Sequence, residues 1–222
     1  MPTWAVRAPL ARWLAAEAER AHRDLGTYRL LDVGCGEKPY GPLFAPFVST
    51  HVGVDPVENP VAELRGPIEA LPVDDGSFDV VLCAQVLEHV DDPSAAAREL
   101  HRVLAPGGRL LLSTHGAMVF HPAPVDHWRW THTGVARVLE REREWASVTV
   151  TPGCGTTASL TMLIAIYTEH ALRRTPLRFA RHRVVAGLNR VAETLDSRSA
   201  ALRDMRPGTL TANYHVVAEK LR

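Results

Sequence analysis

The sequence predicts an α/β fold with a doubly wound, mostly parallel sheet, and three observations carry that expectation. Short apolar runs at Leu30–Val33, Val52–Asp55, Phe78–Cys83 and Arg109–Ser113 have the length of buried strands. Helical patterns flank them, and strand, helix, strand alternation implies a parallel sheet covered on both faces. Gly34 and Gly36 follow the first run, and Asp55 closes the second. In such a sheet these positions meet in one crevice, where an acidic side chain can take a ribose hydroxyl pair. A bound nucleoside is the first chemical expectation.

Taken in order, residues 1–27 read as an N-terminal helix, because Leu10, Trp13, Leu14, Ala18 and Ala21 recur at helical spacing. Arg7, Arg12, Glu17, Glu19 and Arg20 interrupt any apolar targeting core. This helix is also expected to help wall the cofactor pocket. Residues 28–155 form the core. Asp74–Ser77 is a turn cluster before the strand at Phe78. Asp91-Asp92-Pro93-Ser94 caps a helix running through Arg98, Leu100, Val103 and Leu104, and Pro106-Gly107-Gly108 ends it before the next strand. Val148–Thr151 and Asn213–Glu219 read as two last strands, with an insertion over 156–208 and a final segment over 209–222.

Composition narrows the class. At 222 residues and 46% hydrophobic, the chain fits a single domain with an insertion. Its 25 basic residues balance 25 acidic ones, and no aromatic-basic recognition motif occurs, which disfavours nucleic acid. Cys35, Cys83 and Cys154 lie far apart without C-x-x-C spacing, so neither a disulfide framework nor a metal cluster is expected and a reducing cytoplasm is the default. The apolar stretch around Leu160–Tyr167 falls short of the roughly 20 residues that cross a bilayer.

A dinucleotide would need a third glycine at the helix start. Here Glu37, Lys38 and Pro39 follow Gly36, so a ligand without a pyrophosphate fits better. Further blocks follow in order: Ile68-Glu69-Ala70-Leu71-Pro72, Asp74 to Cys83, Gln85-Val86-Leu87-Glu88-His89-Val90, and Leu100 to Leu112 with its Pro-Gly-Gly. With these blocks the chain resembles, over roughly residues 28 to 150, the class I S-adenosylmethionine-dependent methyltransferases, in their type 11 branch. Gly36 to Tyr40 and His121 to Thr131 resemble a bacterial branch often associated with glycan or secondary-metabolite pathways.

That resemblance implies an enzyme with S-adenosylmethionine as cofactor, on a Rossmann-like seven-stranded sheet that is mostly parallel with an antiparallel last strand. It implies that Asp55, with Pro56 beside it, holds the ribose, and that Gly34, Cys35 and Gly36 lie along the methionine part. Asp32 would orient that loop or the cofactor ammonium. Ile68 and Glu69 would sit near the adenine, Leu71 would pack close by, Ala84 and Gln85 would flank the methionine end, and His89 would follow on the next helix. Asp55 can also be read as a turn residue, and Gln85 or His89 as a cap. Lys38 stands where many relatives carry a third glycine, and Pro67 where many carry an aspartate that meets the adenine amino group. Loss of that carboxylate removes a charge-assisted hydrogen bond worth roughly 1.5 to 3 kcal/mol.

The acceptor side is expected on the loop after Thr114, since loops at strand carboxyl ends carry substrate residues. Methyl transfer from a sulfonium needs a positioned nucleophile freed of its proton. His115, His121, Asp126 and His127 are the candidate bases. A structural alternative pairs Asp126 with Arg129 and uses Thr131 or Thr133 to cap a helix near Gly134–Arg143.

In the insertion, Leu177, Ala180, Val184, Leu188, Val191, Ala192, Leu195 and Leu202 recur at helical steps, predicting two or three helices. Arg173, Arg174, Arg178, Arg181, Arg183, Arg190, Arg198, Arg203 and Arg206 make it basic. A solvated face, a lid over the acceptor, a homodimer surface and a patch for an anionic substrate or peripheral membrane contact are the alternatives. The insertion is expected to shape the acceptor pocket. The favoured function is methyl transfer to a hydroxyl of a small molecule, anionic or glycosylated, from sugar or natural-product chemistry, with no required metal. Methylation of nitrogen or carbon, a non-catalytic cofactor-binding module and, more distantly, a nicotinamide oxidoreductase are the other readings.

Overall fold

The computed structural model describes residues 3–122, 124–172 and 181–222, the side chains of 181 and 182 excepted. Seven strands form one sheet: β1 (Tyr28–Val33), β2 (Val48–Asp55), β3 (Leu64–Arg65), β4 (Phe78–Ala84), β5 (Leu104–His115), β6 (Trp145–Pro152) and β7 (Asn213–Lys220). Their order is β3-β2-β1-β4-β5-β7-β6. β1 pairs in parallel with β2 and β4, whereas β7 runs antiparallel to β5 and β6. The strand order reverses between β1 and β4, and the ends of these two strands open the crevice where such sheets bind ligands.

Alternate residues of the central strands feed two cores, which is why their sequences are apolar without interruption. Leu31, Val33, Val81, Cys83, Leu110 and Leu112 pack on one face with α3 (Pro93–Arg102) and α4 (His132–Glu142). Leu30, Val80, Leu82 and Leu111 pack on the other against Leu10, Leu14 and Ala18 of α1 (Trp4–Leu25) and Phe44 of α2 (Gly41–Phe44). Asp92 caps α3 by accepting from the Ser94 and Ala95 amides at 2.9 and 3.1 Å, with Pro93 at the first helical position. Thr131 caps α4 through the Gly134 amide at 3.1 Å.

One expected helix end moves. α3 stops at Arg102 and not at Leu104, because the Val103 carbonyl accepts from Phe78 N–H at 3.1 Å and Leu104 then pairs with Phe78 in the sheet. Pro106-Gly107-Gly108 lies inside β5, where the pairing with β4 shifts register, so it forms an irregularity in the strand and not the helix stop.

Between β6 and β7 lie α5 (Thr156–Leu172), α6 (Arg181–Arg198) and α7 (Ala200–Arg203). The expectations placed on Leu177, Ala180, Arg173, Arg174 and Arg178 lie outside the described residues. The inward face of α6 differs from the apolar stripe read in the sequence: Val185, Asn189, Ala192 and Asp196 are buried, while Val184, Val191 and Leu195 are exposed. Asp196 sets that rotation. Its carboxylate accepts from the Thr157 and Ala158 amides at 3.0 and 2.8 Å and so caps α5 from the neighbouring helix. Met162 of α5 joins Ala5 and Val6 of α1 in a third cluster, which braces the start of α1. Among the described residues no helix is long and apolar enough to cross a membrane.

Candidate active site

The crevice at the ends of β1, β2 and β4 is a cleft of about 600 Å³. Gly34, Gly36, Asp55, Pro56, Ile68, Glu69, Gln85 and His89, all singled out in the sequence, line it. Gly34 sits at φ +66°, and a Cβ there would lie 2.5 Å from the Val86 side chain, so only glycine fits. Gly36 also has positive φ, at +49°, and a Cβ there would project into open space. The pair thus leaves bare backbone along one wall.

Asp55 is 8% exposed. Its Oδ2 accepts from the Gly36 amide at 3.1 Å and from Asn59 at 3.2 Å, and its Oδ1 accepts from the Val57 amide at 3.2 Å. An ionised carboxylate offers about four acceptor positions. These three bonds fix its orientation and leave capacity for a ligand hydroxyl. Asn59, which also donates to the Gly36 carbonyl at 2.8 Å, carried no signal in the sequence. The donor set therefore fits a ribose, and the bare Gly34–Gly36 backbone fits the sulfonium and amino-acid part of S-adenosylmethionine.

Other expected cofactor residues stand behind the wall. Asp32 is buried on the α1 side of β1, 3.4 Å from His51 Nε2, and burial pushes its carboxyl up. Cys35 is buried beneath the loop, which pushes its thiol up to about 11. Leu71 belongs to the core, with its amide on Glu99 at 2.8 Å. Lys38, in the third-glycine position, adopts φ +49°. Its chain crosses over Gly53, where a Cβ would meet Lys38 Cε at 2.5 Å, and its ammonium pairs with Glu63 at 2.6 Å. Glu63 also accepts from the Gly53 amide at 2.6 Å. Lys38 thus ties the loop to the outer strands, outside the cleft.

A second cleft, of about 380 Å³, adjoins the first. Gln85, His89 and His121 belong to both, which makes them the junction. Ala84, Glu88, His115 and Met118 line the second only, facing Thr3, Arg7 and Leu10 of α1 and Tyr40. The start of α1 therefore walls this cleft and not the larger one. Gln85 is held at φ +61°, a strained angle for a side-chain-bearing residue. Its amide donates to the Ser113 carbonyl, and its Nε2 donates to Ser113 Oγ and to Asn213 Oδ1, each at 2.9 Å.

The histidines cluster at this junction. Ring centroids of His89 and His121 lie 5.7 Å apart, and those of His115 and His121 6.2 Å apart. His89 Nδ1 hydrogen-bonds the Val125 carbonyl. A carbonyl only accepts, so Nδ1 carries the hydrogen and Nε2 of neutral His89 presents a lone pair. His115 forms the floor beside Glu88, whose Oε1 lies 3.3 Å from His115 Nε2 and whose Oε2 accepts from Thr114 at 2.8 Å. Burial pushes Glu88 up to about 7 and His115 down to about 4. Glu88 was not singled out in the sequence, although a carboxylate amid Val86, Leu87 and Val90 was a signal.

Two candidate bases are corrected. Asp126 pairs with both terminal nitrogens of Arg129 and accepts from the His121 amide at 2.7 Å, and the Arg129 hydrogen bonds hold its carboxyl well below the usual range. It anchors the loop and lines neither cleft. His127 also lies outside both clefts and faces Asp91 at 3.2 Å. Among the described residues no group of three His, Cys, Asp or Glu side chains is placed to hold a metal ion.

Residues 31–112 match the methyltransferase domain family. The match spans the glycine loop, Asp55 and the junction residues Gln85 and His89. Over 133 residues the chain is 38% identical to a probable S-adenosylmethionine-dependent methyltransferase of Mycolicibacterium smegmatis, covering 54% of this chain and 51% of that protein. Over 109 residues it is 38% identical to the ubiquinone biosynthesis O-methyltransferase of Xanthomonas oryzae pv. oryzae, covering 42% and 46%. The chain thus spans about half the length of these relatives.

Solved structures show the same fold. The 1,6-didemethyltoxoflavin-N1-methyltransferase of Burkholderia thailandensis, with bound 1,6-didemethyltoxoflavin and S-adenosylhomocysteine, aligns with a TM-score of 0.56 at 16% identity, over 96% of this chain and 79% of that one. The [4+2]-cyclase SpnF aligns with a TM-score of 0.55 at 18% identity, over 93% and 81%. These likenesses concern fold alone, and the chemistry rests on the site.

Proposed function

We propose that this protein is an S-adenosylmethionine-dependent methyltransferase acting on a hydroxyl oxygen of a small molecule. The observation that carries the reading is the meeting of two clefts at Gln85, His89 and His121. Asp55 and the Gly34–Gly36 backbone hold the nucleoside and amino-acid parts of the cofactor in the larger cleft, and the smaller cleft receives the acceptor. The bound cofactor supplies an electrophilic methyl group. The chain's own task is to hold the acceptor oxygen at the junction, exclude water and take its proton.

His89 is suited to take that proton, because Val125 fixes the tautomer that leaves Nε2 open. His121 stands next to it. Loss of a positioned base costs typically 10²- to 10⁴-fold. Screening hydroxylated metabolites for S-adenosylhomocysteine release tests the reading. Turnover with one acceptor, reduced at least a hundredfold in His89→Ala or His121→Ala at saturating cofactor, is expected. Full turnover in both variants overturns the assignment of the base, and no methyl transfer to any acceptor overturns the reading itself.

Oxygen is preferred to nitrogen as the accepting atom because a neutral hydroxyl needs a base, and the junction offers imidazoles. The described cysteines are free and buried, in keeping with a reducing compartment.

A further inference from the structure

Resting on that reading of the two clefts, we propose that the acceptor carries a carboxylate, held by Arg7, which lines the second cleft and not the first. Direction along the cleft follows from its walls. Gln85, His89 and His121 are shared with the cofactor cleft, whereas Thr3 and Arg7 line the second cleft alone. The reacting hydroxyl is therefore assigned to the shared histidines, and Arg7 belongs to the part of the lining that the cofactor cleft does not share.

Arg7 is an unanswered charge. Further along α1, Arg12 is paired with Glu193, and Arg20 with Glu17, Asp24 and Glu219, while Arg23 in the last turn, outside both clefts, is the other arginine of the helix without an ion pair among the described residues. Among the described residues Arg7 has no carboxylate within ion-pair distance, and the first turn of α1 contains no acidic residue. Thr3 at the helix start makes no side-chain capping bond, so the positive end of the helix adds to the guanidinium. The two observations are of different kinds, and both favour an anion.

The floor of the same cleft awaits a ligand as well. His115 is 6% exposed, lines the cleft and keeps Nδ1 without a hydrogen-bond partner among the described residues. A buried unpaired ring nitrogen costs free energy, so the residue beneath this cleft is polar and unsatisfied. Val6, Leu10 and Met118 add apolar lining to the cleft. A single arginine with a planar fork, opposite apolar walls in a cleft of about 380 Å³, matches one carboxylate on a compact apolar body. The acceptor class is thus a hydroxylated carboxylic acid. The described residues of the basic insertion line neither cleft.

The test is a matched pair of probes, 4-hydroxybenzoate and 4-hydroxybenzamide, titrated by ligand-observed NMR into the wild type, Arg7→Gln and Arg7→Lys, each with and without S-adenosylhomocysteine. The carboxylate is expected to bind the wild type at least tenfold more tightly than the amide. That preference disappears in Arg7→Gln and survives in part in Arg7→Lys, with thermal melting curves confirming that both variants fold. Equal affinity of the two probes, binding of neither, or an undiminished preference in Arg7→Gln overturns the proposal. S-adenosylhomocysteine titrated into the same wild-type sample reads the cofactor cleft separately. Its failure to bind would count against the methyltransferase reading and not against the carboxylate site.

Discussion

Glu88 lies fully buried between Thr114 and His115, and its environment fixes a pH response. Burial raises its carboxyl to about 7, so the folded protein holds a proton that the unfolded chain releases near the ordinary value of about 4.5. Glu88 therefore stabilises the fold below that ordinary value, and the contribution is lost as pH rises to about 7. His115 acts in the opposite sense: its folded value near 4 lies below the ordinary 6.5, so its contribution is lost as pH falls through that interval. In Glu88→Gln only the first response vanishes. Urea unfolding at pH 5 and pH 7.5 should show the variant gaining stability relative to the wild type at the higher pH; a constant difference would contradict the assignment. At this scale the sequence was legible where the geometry is local, as for the turn at Gly34 and the Asp126–Arg129 pair three positions apart. Glu88, Asn59 and Arg7 were not, because their partners or cavity walls come from distant segments.

Helix ends were read well where the cap is contiguous with the helix. Asp92 and Thr131 are such caps, and Asp92→Ala should cost about 1 kcal/mol, measured as a shift in the urea midpoint. Asp196 could not be read in this way, since it caps α5 from α6. Asp196→Ala leaves the Thr157 and Ala158 amides without their acceptor and should cost about 1–3 kcal/mol. Hydrogen exchange should rise first in α5 and α6 while S-adenosylhomocysteine affinity stays within about twofold, because the described residues of these helices line neither cleft. Faster exchange confined to β1 or β2 would contradict this division. The end of α3 was misplaced because tertiary pairing of Leu104 with Phe78 overrides the apolar helical pattern.

Across the whole molecule, period and order of elements carried the fold. Continuous apolar strands imply two covered faces, and the two cores on either side of β1 and β4 have that form. The placement of the clefts was only half legible. The larger cleft follows from the topological switch point between β1 and β4. The second cleft depends on α1 folding back over β4 and β5, with α5 bracing its first turn, a long-range packing that no local pattern announces. The central claim is that Asp55 and the glycine loop hold S-adenosylmethionine. Calorimetric titration of S-adenosylhomocysteine into the wild type and Asp55→Ala, with a nicotinamide dinucleotide as control, tests it most directly. The account predicts micromolar binding to the wild type, at least tenfold weaker binding to the variant, and none of the dinucleotide. A folded wild-type protein that ignores S-adenosylhomocysteine, or a variant that binds it equally well, would contradict it.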